Sequence, residues 1–167
     1  MDISKAFEMA SGGPFKRALL DRLLWRYIPF NRKHRLKIAE LKPGFAKVVL
    51  PYTTNNLNHL KGLHACALAT LAEYTSGLAI LGICGSDFRI IMRTMNVVYE
   101  KQGKSNAFAV FRISATELEQ KSLESRKTGE PIWIKAEVPV MDVNGEMLCV
   151  AHVEWQLKQW DKVKSKP

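Results

Sequence analysis

Glu73 stands in the middle of the most apolar stretch of the chain. From Leu63 to Cys84 nearly every side chain is Ala, Leu, Ile, Cys or Gly. A carboxylate there is costly unless it is paired, hydrogen-bonded or kept neutral by a raised pKa. A carboxyl of that kind can activate water or attack a carbonyl itself. The other reading of Glu73 is structural, as a carboxylate that caps buried backbone or pairs with an arginine. The stretch opens on a polar entrance, Asn58-His59-Leu60-Lys61-Gly62-Leu63-His64. The whole stretch reads as one long helix with a polar entrance, and an all-round apolar helix must be wrapped by the rest of the protein or by lipid.

The spacing carries a geometric consequence. Nine positions at ~100° each turn through ~900°, so His64 and Glu73 face opposite sides of one helix, ~13 Å apart along it. They cannot act together within one helix. A site using both needs a second copy alongside, in a symmetric dimer that takes the helix entrance from one subunit and the carboxylate from the other.

The run Asn58, Gly62, His64 and Glu73 resembles the active-site signature of hotdog-fold acyl-CoA thioesterases of the phenylacetate-pathway type, with six positions from Asn58 to His64 and nine from His64 to Glu73. The resemblance implies an α+β hotdog fold, an antiparallel sheet wrapped around one long central helix, and a thioester hydrolase acting on acyl-CoA. In that reading Glu73 is base or nucleophile, amides near His64 and Ala65 hold the oxyanion, Asn58 positions water or the carbonyl, and Gly62 belongs to the substrate-binding entrance. The coenzyme A phosphates fall to basic residues such as Arg89, Arg93 and Lys104. No cofactor beyond the coenzyme A of the substrate is implied, and the assembly is a homodimer or a tetramer built from one. Two family glycines are replaced by Ala65 and Cys66. That departure motivates a second reading, a hotdog domain that binds an acyl-CoA or related lipid without hydrolysing it. A dehydratase of the same fold is a third, although the Pro-containing loop that usually carries its His is absent.

These residues need elements to position them. Pro14 suits the first turn of a helix that Pro29 ends. Over 15–28 that helix is amphipathic, with Phe15, Leu19, Leu20, Leu23, Leu24 and Tyr27 expected to pack on the domain or across a subunit boundary, or to touch a membrane surface. Leu36–Leu41 and Phe45–Leu50 read as strands joined by Lys42-Pro43-Gly44. Phe88–Tyr99 reads as a strand whose alternation slips near Thr94 and Met95, as a bulge would make it, and Ala107–Ile113 as the next. Ser114 to Glu117 has the form of a capping box, and Gly129 is the stop. The alternating runs after Ile132 and up to Leu157 read as a hairpin turning at Asn144-Gly145. Gly82, Gly85 and Ser86 close the central helix. Residues 1–35 thus form an N-terminal helical extension, 36–160 the hotdog domain and 161–167 a basic tail. The central stretch is about long enough to span a bilayer, but His64, Thr70 and Glu73 interrupt it.

A chain of 167 residues with 47% hydrophobic side chains suffices for one cored domain. The net charge of +9 is uneven, since residues 1–47 carry +7 and the remainder +2. Such a patch attracts anionic lipid, nucleic acid or coenzyme A phosphates, or serves solubility; nucleic acid is not expected as a partner. Cys66, Cys84 and Cys149 are widely spaced, which argues against disulfides and suits a reducing compartment. Cys66 reads as a small buried filler. With no leader-like apolar segment at Met1–Lys5, a cytoplasmic location is expected. His34, His59, His64 and His152 lack metal-ligand spacing, so no metal is expected.

Overall fold

The computed structural model describes residues 9–10 and 13–163. The first part of the N-terminal extension and the basic tail fall mostly outside the described residues.

Six antiparallel strands make one sheet: β1 (Lys37–Lys42), β2 (Phe45–Leu50), β3 (Phe88–Tyr99), β4 (Ala107–Arg112), β5 (Ile132–Asp142) and β6 (Met147–Gln159), in the spatial order β1-β2-β4-β5-β6-β3. Helix α1 spans Pro14–Tyr27, α2 spans Ala65–Cys84 and α3 spans Ala115–Thr128. The sheet wraps α2, which packs on β2, β4 and β5, and this is the hotdog fold. Alternation decides which side chains meet the helix: Ile132, Ile134, Ala136, Val138 and Val140 of β5 are buried, while Trp133, Lys135 and Glu137 between them are exposed. α2 is apolar and long enough to cross a bilayer, but Leu68, Leu71, Ala72, Ala79 and Ile80 are at most 2% exposed against the sheet.

The expected bulge in β3 lies between Met92 and Thr94. The extra residue resets the phase, so that Met92 and Met95 both face α2. Gly44 turns β1 into β2 with φ 75°, a left-handed conformation that suits glycine. Ser114 caps α3 by accepting the Glu117 N–H at 3.3 Å, and Gly129 ends it in the left-handed region. The final hairpin differs from a two-residue Asn-Gly turn. Residues 143–146 connect the strands, and the Asp142 carboxylate accepts the amides of Asn144 and Glu146 at 2.8 and 2.9 Å.

α1 sits differently from its hydrophobic pattern. Leu20, Asp21 and Leu24 are buried, whereas Phe15, Leu19, Leu23 and Tyr27 are 84%, 44%, 41% and 66% exposed. On the buried face, Asp21 Oδ1 accepts the Ile38 N–H at 3.0 Å. β1 is an edge strand with amides in need of acceptors, and Asp21 meets one of them while four of the six apolar residues expected to pack face outward.

Candidate functional site

Glu73 lies midway along α2, half-buried, where two apolar cavities meet. One, of about 480 Å³, runs along the helix past Cys66 and Thr70 and is walled by Phe30 and by Met92, Met95 and Tyr99 of β3. The other, of about 440 Å³, continues past Gly77 to Trp155, Trp160 and Tyr27. The Glu73 carboxylate has no ion pair or hydrogen bond among the described residues, and burial pushes its pKa up. The structural alternative, a cap on buried backbone or an arginine pair, therefore has no partner here. Beside it, burial and then the charges of Asp21 and Glu73 raise the Tyr74 phenol, which stays neutral.

The helix entrance is built from the Asn58–Gly62 turn. The Asn58 amide oxygen accepts the N–H groups of Leu60 and Gly62 at 2.9 and 3.1 Å, which leaves its Nδ2 as the group without a partner among the described residues. Lys61 takes φ 59° to close the turn, and Gly62 lies directly beneath the Gln102 side chain. His64 is the N-cap of α2: its Nδ1 accepts the Cys66 N–H at 3.1 Å, placing the ring proton on Nε2, and its own N–H goes to the Asn56 carbonyl at 2.8 Å. Of the amides singled out for an oxyanion, that of Ala65 alone has no hydrogen bond among the described residues. Tyr99 Oη donates to the Ala65 carbonyl at 2.9 Å and ties the end of β3 to this entrance.

The three basic residues separate. Arg89 borders the second Glu73 cavity, and its Nε is buried without a partner among the described residues. Lys104 is exposed on the loop whose Gly103 carbonyl accepts the Leu63 N–H at 2.8 Å, so it belongs to the helix entrance. Arg93, at the bulge, lies 5.9 Å over the Trp133 ring on the face of the sheet turned away from α2. The named residues thus fall into two groups among the described residues: Asn58, Gly62, His64, Ala65 and Lys104 at the entrance, and Glu73 with Arg89 along the cavities. No hydrogen bond joins them.

Several contributors were not legible in the residue pattern. Asn56 is fully buried and fixes the approach to the entrance, with Nδ2 donating to the carbonyls of His34 and Pro51 at 3.0 and 2.9 Å and Oδ1 meeting His34 Nδ1 at 2.9 Å. Nothing distinguishes it locally from Asn55 or Asn58. Cys66, expected as buried filler, is exposed and lines the Glu73 cavity. Position 66 is seven residues before Glu73, two helical turns away on the same side.

Residues 16–160 match the profile of a domain of unknown function, DUF4442. A protein of unknown function from Pseudomonas aeruginosa, described as a probable thioesterase, superposes with a TM-score of 0.75 at 26% identity, covering 85% of this chain and 95% of its own. A thioesterase from Haemophilus influenzae aligns with a TM-score of 0.64 at 10% identity over 95% of this chain and 92% of its own. A variant of a thioesterase from Staphylococcus aureus aligns with a TM-score of 0.63 at 14% identity over 78% and 98%. No protein of curated function matches the sequence. The family match spans α1 and all six strands, and the chain belongs to the DUF4442 family, on a hotdog fold.

Proposed function

We propose that the protein hydrolyses thioesters, with an acyl-CoA as substrate and a composite site formed by two copies of the chain. The observation that carries this reading is Glu73, an unpartnered carboxylate with a raised pKa on the central helix of a hotdog fold, facing an apolar cavity. A base whose pKa is shifted towards the working pH contributes about 10²–10⁴ in rate. Glu73 takes a proton from water, the hydroxide adds to the thioester carbonyl, and the oxyanion meets the Ala65 N–H of the other copy. The carbon–sulfur bond then breaks, and the proton held by Glu73 passes to the departing thiolate. The acyl chain lies in the Glu73 cavities.

Assembly supports the composite site. Among the described residues β3 pairs only with β6, leaving an edge as long as Phe88–Tyr99 without a partner strand, with Val98 and Tyr99 48% and 46% exposed. Long exposed edges of this kind invite pairing with another chain. A second copy laid antiparallel along β3 would bring its Tyr99, and the helix entrance tied to it through Ala65, beside the Arg89–Met92 segment that borders the Glu73 cavities. Lys104 would arrive with that entrance and meet the coenzyme A phosphates.

Release of free thiol from a panel of acyl-CoA thioesters of increasing chain length tests the reading, with Glu73→Gln as control. Ala65 and Cys66, whose side chains stand exposed beside the free amide, favour one rival, binding without hydrolysis. Thermal stabilisation by acyl-CoA with no thiol released from any member of the panel would establish the rival instead.

A further inference from the structure

The outward half of α1 combines large apolar side chains with positive charge. Phe15, Leu19, Leu23 and Tyr27 run down it at intervals of four residues, 84%, 44%, 41% and 66% exposed. Lys16, Arg22 and Arg26 lie among them, all exposed. The helix has one acid, Asp21, and that residue is buried on the opposite side against Ile38. The exposed arc therefore carries three cations, four large apolar side chains and no negative charge. Arg32, Lys33 and Arg35 continue the exposed positive charge just beyond the helix.

We propose that α1 docks on an anionic lipid surface, with Phe15, Leu19, Leu23 and Tyr27 entering the interface and Lys16, Arg22 and Arg26 meeting the headgroups. An amphipathic helix with aromatic and leucine side chains among lysines and arginines binds in this way, by apolar burial added to attraction for anionic lipid. A second copy is a poor occupant of the same face, because a two-fold contact would set Arg22 and Arg26 against their own images. Nucleic acid would satisfy the cations but return nothing for burying Leu19 and Leu23. Tyr27 also borders the Glu73 cavity that reaches Trp155 and Trp160, so docking brings the rim of that cavity to a surface where long acyl chains partition. This last step rests on the thioester reading; the docking itself does not.

The test is flotation of the full chain with vesicles of phosphatidylcholine alone and with vesicles that also contain phosphatidylglycerol. Binding is expected to the second and to fall as salt is raised. Each interfacial cation contributes about a five-fold increase in affinity, so Arg22→Gln with Arg26→Gln should weaken binding about thirty-fold. Phe15→Ser with Leu23→Ser should abolish it. These side chains are exposed, and circular dichroism should show both variants folded. Absence of wild-type binding, or binding untouched by both pairs of substitutions, overturns the proposal. Tight duplex or single-stranded nucleic acid binding that survives Phe15→Ser and Leu23→Ser overturns it in favour of nucleic acid, and an oligomer lost in that variant overturns it in favour of a second copy. Vesicle binding by a protein that releases no thiol would sustain the docking and reject the thioesterase reading.

Discussion

Asp21 Oδ1 and the Ile38 amide are 3.0 Å apart, and this bond joins the N-terminal helix to the outer edge of the sheet. Burial raises the Asp21 pKa from its ordinary 3.8 to about 6, against the lowering effects of the Ile38 hydrogen bond and the charges of Lys37 and Arg17. The folded chain therefore holds this proton more tightly than the unfolded chain. The associated stability is fully present below about pH 3.8 and is lost as pH rises through about 6.

Asp21→Ala should destabilise the fold by about 1–3 kcal/mol, because a buried edge amide loses its acceptor. Asp21→Asn keeps an acceptor and removes the titration. Its stability should match that of the wild type near pH 4 and exceed it near neutrality, the difference opening between about pH 4 and pH 6. Urea titrations across that window check both. Identical pH profiles for wild type and Asp21→Asn would exclude Asp21 as the titrating group.

Glu73→Gln keeps the shape and removes the charge. Hydrolysis should fall by about two to four orders of magnitude. Because burial raises the Glu73 pKa, ionised Glu73 opposes folding, and the substitution should leave the melting temperature at neutral pH equal or higher. Wild-type turnover should rise with pH through the raised Glu73 pKa. A large loss of stability in Glu73→Gln would point to a structural partner for the carboxylate instead.

A site that takes its entrance from one copy and Glu73 from the other is testable by mixing. Asn58→Ala and Glu73→Ala should each be nearly inactive. Unfolded together and refolded in equal amounts, they should form mixed dimers with one intact site each and recover about one quarter of wild-type activity for random two-fold assembly. Because the Asn58 oxygen holds the 58–62 turn, the folding of Asn58→Ala is verified first. No recovery, with mixed dimers confirmed by mass and each variant folded, would show that the site lies within one chain or that Asn58 and Glu73 do not act together.

Trp155 Nε1 donates to Ser76 Oγ at 3.1 Å inside the core, one turn beyond Glu73. Ser76→Ala leaves the indole N–H without a partner and should cost about 1–3 kcal/mol. A shift in tryptophan emission should accompany the loss. Unchanged stability would mean that the indole finds another acceptor in the neighbouring cavity.

The order of strands and helices, the capped α3 and the β3 bulge all follow from the sequence, because alternation, helical period and capping chemistry act over a few residues. The outward turn of α1 does not follow. Its hydrophobic pattern favours burying Phe15, Leu19, Leu23 and Tyr27, yet the face that meets the sheet is that of Leu20, Asp21 and Leu24, and the partner of Asp21, the Ile38 amide, lies seventeen residues away in the chain. The same holds for Asn56, whose neighbours Asn55 and Asn58 look alike until His34 and Pro51 are folded around it. Glu73 divides between the two levels. Its cost in an apolar helix is plain from the residue types, but its lack of a partner and the cavities beside it arise only where β3, α1 and Trp155 come together, since burial and cavity shape are properties of packed surfaces and not of any one segment.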